Sequence, residues 1–354
     1  MKNHRFSLIL TLLIFGSLIL AGCSGAGVIN AYPGLSATKD TVFLADQGYV
    51  YFINASNGTM TCRFPDKAAT STPFYAPPAI SGDTIVAGNY GHMLYGIDTS
   101  CKQKWVFDGK DGHFVGGPLI VKETILAPSS NNVMFALSLA DGKELWQFES
   151  KNALWATPVS DGQTVYVPAL DHTLAALNLS DGKVIWQKDL GAALLSAPVL
   201  NQDGTLYLAG MSGGVMAIKP TDGSVLWKTD TGGQIWGSPV LYQDTLFVGN
   251  STGKVFAISA KDGSVKWTKD AGGAIIAGGA ALSDGVVFVT EDGKVITYSF
   301  DGQKELWRQT INGKLYTTPV ISGQTLVVAV TQGDKLLQSF NQNGTLAWPF
   351  VAPK

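Results

Sequence analysis

A tryptophan returns at a nearly fixed interval along this chain, each time a few residues behind a tight turn that is usually Asp-Gly. Trp105, Trp146, Trp186, Trp227, Trp267, Trp307 and Trp348 are spaced 41, 40, 41, 40, 40 and 41 residues apart. Cys62 stands 43 residues before Trp105, in "NGTMTC", which is the same turn motif with cysteine in the tryptophan column. The 354 residues therefore hold eight copies of one unit. A period of about 40 residues constrains the fold more than any other feature, because each unit of a repeat architecture buries its apolar faces against its neighbours.

Every unit contains four short apolar segments. In residues 197–229, "APVL" precedes a turn, "TLYLAG" precedes Ser-Gly-Gly, "GVMAIK" precedes Thr-Asp-Gly, and "SVLWK" closes the unit. Runs of this length, rich in Val, Leu, Ile and Tyr and separated by Gly, Asp and Asn, read as a four-stranded antiparallel meander. Helical periodicity is absent after residue 22. The 41 glycines follow no G-X-Y period, which points to many turns.

The second segments read "TVFLA", "TIVAG", "TILAP", "TVYVP", "TLYLA", "TLFVG", "VVFVT" and "TLVVA". Apolar side chains on both alternating faces mean that both faces are covered. Units must then stack face to face. An open stack would need atypical caps, whereas the first and last copies are ordinary apart from Cys62. The expectation is all-β, an eight-bladed β-propeller over residues 32–354. The seven motif tryptophans are its structural girdle, wedged between neighbouring blades.

The first 22 residues have another character. Lys2 and Arg5 precede the apolar run "FSLILTLLIFGSLIL", and Leu20 to Cys23 read "LAGC". A basic start, a short apolar run and small residues before a cleavage point make a secretory signal. The sequence Leu-Ala-Gly-Cys resembles the bacterial lipobox, which implies that Cys23 becomes a lipidated N-terminus. Residues 1–22 are then a lipoprotein signal peptide and 23–31 a tether reaching roughly 30 Å when extended. The alternative is an ordinary signal peptide with a chance cysteine. Cleavage leaves 23 basic and 27 acidic residues, a net charge of −4, with no long basic cluster, which argues against nucleic acid as a partner.

The stretches "ALSLADGKELW" (136–146), "ALNLSDGKVIW" (176–186) and "AISAKDGSVKW" (257–267) resemble the tryptophan-docking repeat of the quinoprotein, or PQQ-type, propellers. The resemblance covers roughly residues 32–348. One branch of that family consists of alcohol and glucose dehydrogenases that use pyrroloquinoline quinone and calcium. Another consists of non-catalytic lipoproteins, including the scaffold subunit of the outer-membrane β-barrel assembly machinery. The alcohol dehydrogenases typically carry adjacent cysteines and long insertions. This chain has no Cys-Cys pair and its copies are uniformly short. Size, lipobox and regularity match the scaffold branch, although no segment maps onto that subunit's partner-binding loops. Resemblance therefore implies a lipid-anchored envelope scaffold with no cofactor, which binds envelope proteins or extended peptides. A small quinoprotein dehydrogenase and a carbohydrate-binding surface lipoprotein are the competing readings.

The docking tryptophan of such repeats packs towards the motif of the next blade. Cys62 holds the tryptophan place in blade one and Cys101 the glycine place in blade two, so the resemblance implies that the two thiols face each other as a disulfide or as small buried groups. Residues for catalysis or metal are sparse. His4 lies in the signal, and His92, His113 and His172 form no ligand spacing. The acidic turns "DGKDG" (108–112) and "TEDGK" (290–294) lack the spacing of a calcium loop. The one candidate binding column lies three residues before the proline position of each connection. Tyr75, Val115, Trp155, Leu195, Trp236, Ile276 and Tyr316 either form an apolar rim at one end of the channel, suited to an extended peptide, or pack inward between blades.

Overall fold

The computed structural model describes residues 32–353. Cys23, the signal peptide and the tether lie outside the described residues. The remainder is a ring of eight four-stranded antiparallel sheets, each built from four consecutive strands. In blade five these are Val199–Leu200, Leu206–Ala209, Gly214–Ile218 and Val225–Asp230. No helix occurs among the described residues. The eight-bladed propeller expected from the repeat is the fold observed.

First strands of adjacent blades meet around the axis, and fourth strands form the outer circumference. Burial follows that order. The second strand of blade four, Thr164–Pro168, is buried in its last four residues, whereas the fourth, Val184–Asp189, is mostly exposed. The core is accordingly not one mass but eight clusters, one at each blade junction. Tyr166, Leu174 and Leu190 of blade four, for example, pack with Leu206, Leu208 and Met216 of blade five.

The girdle explains the period. Each tryptophan Nε1–H donates to a backbone carbonyl of the next blade: Trp105 to Leu139 at 3.0 Å, Trp146 to Leu179 at 2.9 Å and Trp186 to Pro220 at 2.8 Å. Trp227 reaches Ala260, Trp267 reaches Phe300 and Trp307 reaches Gln342. Trp348 closes the ring by donating to Ala55 at 2.8 Å. Blades one and eight share no strand, so ring closure rests on this dock, on the cluster around Leu35, Val42 and Phe350, and on Ser322 Oγ–H donating to the carbonyl of Thr38.

Two small positions make room for each indole. The turn glycine of the next blade lies under the ring. A Cβ on Gly142 would stand 2.6 Å from Trp105, and one on Gly263 2.6 Å from Trp227. The residue paired with the tryptophan on the third strand is also small: Gly96, Ala136, Ala176, Ala217, Ala257, Thr297 or Ser339. At the junction of blades one and two all three positions change together. Cys62 replaces the tryptophan, Phe52 replaces the small partner, and Cys101 replaces the glycine while keeping its left-handed φ of 62°. Cys62 and Cys101 are joined in a disulfide, with Cα atoms 6.1 Å apart. A covalent bond and a phenylalanine do here what an indole does elsewhere.

Candidate binding face

The connections that enter the blades run as extended chain, in which successive side chains point to opposite sides. Their phase is set by backbone bonds to the preceding blade. Phe114 N–H donates to Asn89, Leu154 to Ser129 and Ile275 to Asn250, at 3.1–3.2 Å. Phe74, Phe114, Leu154, Leu194, Ile235, Ile275 and Leu315 are thereby sealed between blades. The residue after each of them turns the other way. Val115, Leu195, Ile276, Tyr75 and Tyr316 are half-buried, while Trp155 and Trp236 remain 42% and 40% exposed.

Six of the seven column residues, all but Tyr75, line one shallow cavity of about 220 Å³ at the end of the channel. Its floor is small, including Gly117, Thr157, Ser238, Gly278 and Thr318, and Gly278 N–H donates to Thr318 Oγ1 at 2.9 Å. The inward-packed residues are the column one position earlier. Tyr75 instead meets Tyr90 edge to face at 6.0 Å, and Tyr90 stacks flat on His113 at 4.1 Å.

An eighth column member escaped the sequence reading. Tyr32 stands three residues before Leu35, which holds the proline position of blade one as Gly279 does for Ile276, so it occupies the same column. Tyr32 is 51% exposed and packs on Tyr316 with ring centroids 4.5 Å apart. The spacing of the repeat alone would have found it. Tyr316 O–H donates to Glu291 at 3.1 Å; burial, then that carboxylate, pushes the phenol above its ordinary range. The face is thus divided: Tyr316, Tyr32, Tyr75 and Tyr90 follow one another on blades eight, one and two, and apolar residues with the two tryptophans occupy the remainder.

His92, His172 and the acidic residue Asp292 sit in turns, and Asp108 ends a strand. His92 and His172 occupy left-handed turn positions, φ 64° and 72°. Asp108 accepts from Lys110 N–H at 2.7 Å and pairs with His92 Nδ1 at 2.9 Å, and these contacts hold its carboxyl below the usual range. Asp292 closes its own turn by accepting from Thr290 Oγ1 and Lys294. A quinone with calcium does not fit the channel mouth. Its lining holds no carboxylate, amide or imidazole, and no group of three or more His, Cys, Asp or Glu suited to a metal occurs among the described residues. A volume near 220 Å³ is also below the roughly 300–1,000 Å³ of small-molecule sites.

Eight blades with tryptophan docks and uniformly short connections define a PQQ-like β-propeller. The chain belongs to the family described as outer membrane protein assembly factor BamB, which matches residues 25–169, 171–277 and 271–354. The crystal structure of BamB from Moraxella catarrhalis is 19% identical, with a TM-score of 0.68 over 77% of this chain and 86% of that one. The computationally designed Ika8 protein superposes at 0.74 with 11% identity, covering 89% and 95%. A quinohemoprotein alcohol dehydrogenase, ADHIIG from Pseudomonas putida HK5, superposes at 0.71 with 13% identity, covering 92% and 77%. At these identities the likeness is one of fold. No curated protein sequence matches the chain.

Proposed function

We propose that this chain is a non-enzymatic scaffold of the cell envelope, lipid-anchored through Cys23, which holds protein partners during envelope protein assembly. The single observation that carries the reading is the channel-mouth face, where Trp155 and Trp236 stay two-fifths exposed above a cavity too shallow for a buried substrate. Rigid aromatics around an apolar dish suit the side chains of an extended peptide or exposed strand. Membership of a family described as an outer membrane assembly factor supports the envelope setting. The Cys62–Cys101 disulfide supports an exported location, because such bonds persist in oxidising compartments.

The test places a photo-crosslinking residue at position 155 or 236 of the full chain in its own cells. Envelope proteins trapped at both positions, and lost when the other tryptophan is changed to alanine, are the expected result. Trapping that is unchanged by Trp155→Ala and Trp236→Ala would remove the face from the function. Labelling with an alkynyl fatty acid, lost in Cys23→Ala, tests the anchor. Titration with the quinone and calcium tests the enzymatic reading, since turnover of a dye-linked substrate would overturn the scaffold. Retention on a glycan array through the same tryptophans would assign the face to carbohydrate.

A further inference from the structure

A second cavity, of about 320 Å³, opens beside the seam where blade eight meets blade one. Its walls include Asp46, Tyr49 and Tyr51 from blade one, Asp334 and Lys335 from the second turn of blade eight, and the C-terminal Val351. The Asp46 carboxylate lines this space, yet it makes no hydrogen bond or ion pair among the described residues. Two of the cations near it are engaged elsewhere. Lys335 Nζ is bonded to Asp334 at 3.0 Å, and the Arg63 guanidinium lies 4.2 Å over the Tyr49 ring. Lys67 is exposed on the connection to blade two. Asp334 and Lys335 cancel, so the lining carries one uncompensated negative charge.

We propose that this pocket is a cation site that receives an alkylammonium group, from a lysine side chain of a protein partner or from a free amine. An ammonium head bonds the lone carboxylate, and its methylene stem lies along Ala68, Leu336, Val351 and Ala352, which supply the apolar wall. Asp46 is half-buried, and a partly desolvated charge without a protein partner carries a cost that an incoming opposite charge reduces. The lining does not suit a hard metal ion, which takes about six to eight oxygens, because the only other carboxylate, Asp334, is already held by Lys335. Burial pushes the Asp46 carboxyl up to about 6, and Tyr51 and Tyr75 are themselves raised, first by burial and next by the Asp46 charge. Binding of the cation therefore competes with a proton on Asp46 and weakens as pH falls below about 6. Gln47 bridges to Phe74, next to Tyr75, so the pocket and the aromatic rim share one end of the ring. The site nonetheless stands without the rim reading.

Saturation-transfer NMR on the full chain tests it with Nα-acetyl-lysine methylamide, its norleucine analogue, putrescine and calcium chloride as probes. At pH 7.5 the lysine side chain takes up saturation and the norleucine does not. The signal falls at least five-fold at pH 5 and in Asp46→Asn. Ala68→Tyr, on the exposed lip, also removes it while leaving the carboxylate in place. Tighter binding of the lysine amide than of putrescine identifies a polypeptide source, and the reverse order identifies a soluble amine. Transfer from neither amine, equal transfer to norleucine, persistence in both variants, or displacement by equimolar calcium overturns the proposal.

Discussion

Transplanting a tryptophan dock into the one blade junction that lacks it tests how the ring is held. Cys62 and Cys101 are 39 residues apart, and cross-linking a loop of that length stabilises by about 4 kcal/mol in the chain-entropy treatment. Replacing both cysteines with serine removes that constraint and leaves Phe52 without an indole or a disulfide beside it. For a cooperative unit of this size the loss corresponds to a fall in Tm of about 6 °C. The triple variant Phe52→Ala, Cys62→Trp, Cys101→Gly installs the arrangement seen at Trp227 with Ala217 and Gly263. An indole N–H bond with several buried carbons contributes about 3 kcal/mol, so the triple variant regains more than half of the lost stability. It also becomes insensitive to reductant, unlike the parent. Cys62→Trp alone is less stable than the serine pair, because the Phe52 ring and the residue-101 Cβ already fill the space, and overpacking costs about 1–3 kcal/mol. Tryptophan fluorescence during thermal unfolding, with and without reductant, reads all four proteins. A Cys62→Trp single variant as stable as the triple would refute the view that the three positions form one device.

The remaining predictions follow from burial and charge. Gly263→Ala and Gly272→Ala both force a methyl into left-handed backbone, φ 74° and 75°, but only the first meets a ring, whereas the second meets nothing within 4 Å. Urea unfolding should show a loss of about 1 kcal/mol for Gly272→Ala and at least twice that for Gly263→Ala; equal losses would mean that the indole adds no constraint. Trp105→Ala, at a buried dock, should cost about 3–5 kcal/mol, while Trp155→Ala and Trp236→Ala stay within about 1 kcal/mol of the parent by the same assay. Asp46 is an acid whose folded pKa is raised, so its native state binds the proton more tightly than the unfolded chain does. That stabilisation is fully present below the unfolded value near 4 and is lost as pH rises through about 6. Asp46→Asn should therefore gain on the parent by about 2–3 kcal/mol across that window; a constant difference from pH 4 to pH 8 would contradict the assignment.

Much of this protein is legible in its sequence because a propeller repeats one local problem eight times. The tryptophan period, the turn glycine four residues before most of the tryptophans, and second segments apolar on both faces leave few folds other than a closed ring of meanders. The candidate rim was legible as a column but not as a surface. Val115 and Phe114 are equally apolar, and which one faces the channel depends on the backbone phase set when Phe114 N–H bonds the preceding blade.

What the sequence determined by itself is everything that follows from period and alternation: blade number, strand order and girdle, with Cys62 and Cys101 marked as departures from the motif, whereas their bond was decided by the structure. Tertiary structure alone decided what happens between residues far apart in the chain. The seam pocket joins Asp46 to Asp334, Lys335 and Val351, about 300 residues away, and no periodicity relates them. The same is true of the isolation of the Asp46 carboxylate and of the match of Phe52 to a missing indole. Local pattern dictates strands and turns because hydrogen bonding and burial act on neighbours. Charge pairing and cavity shape depend on which surfaces closure brings together.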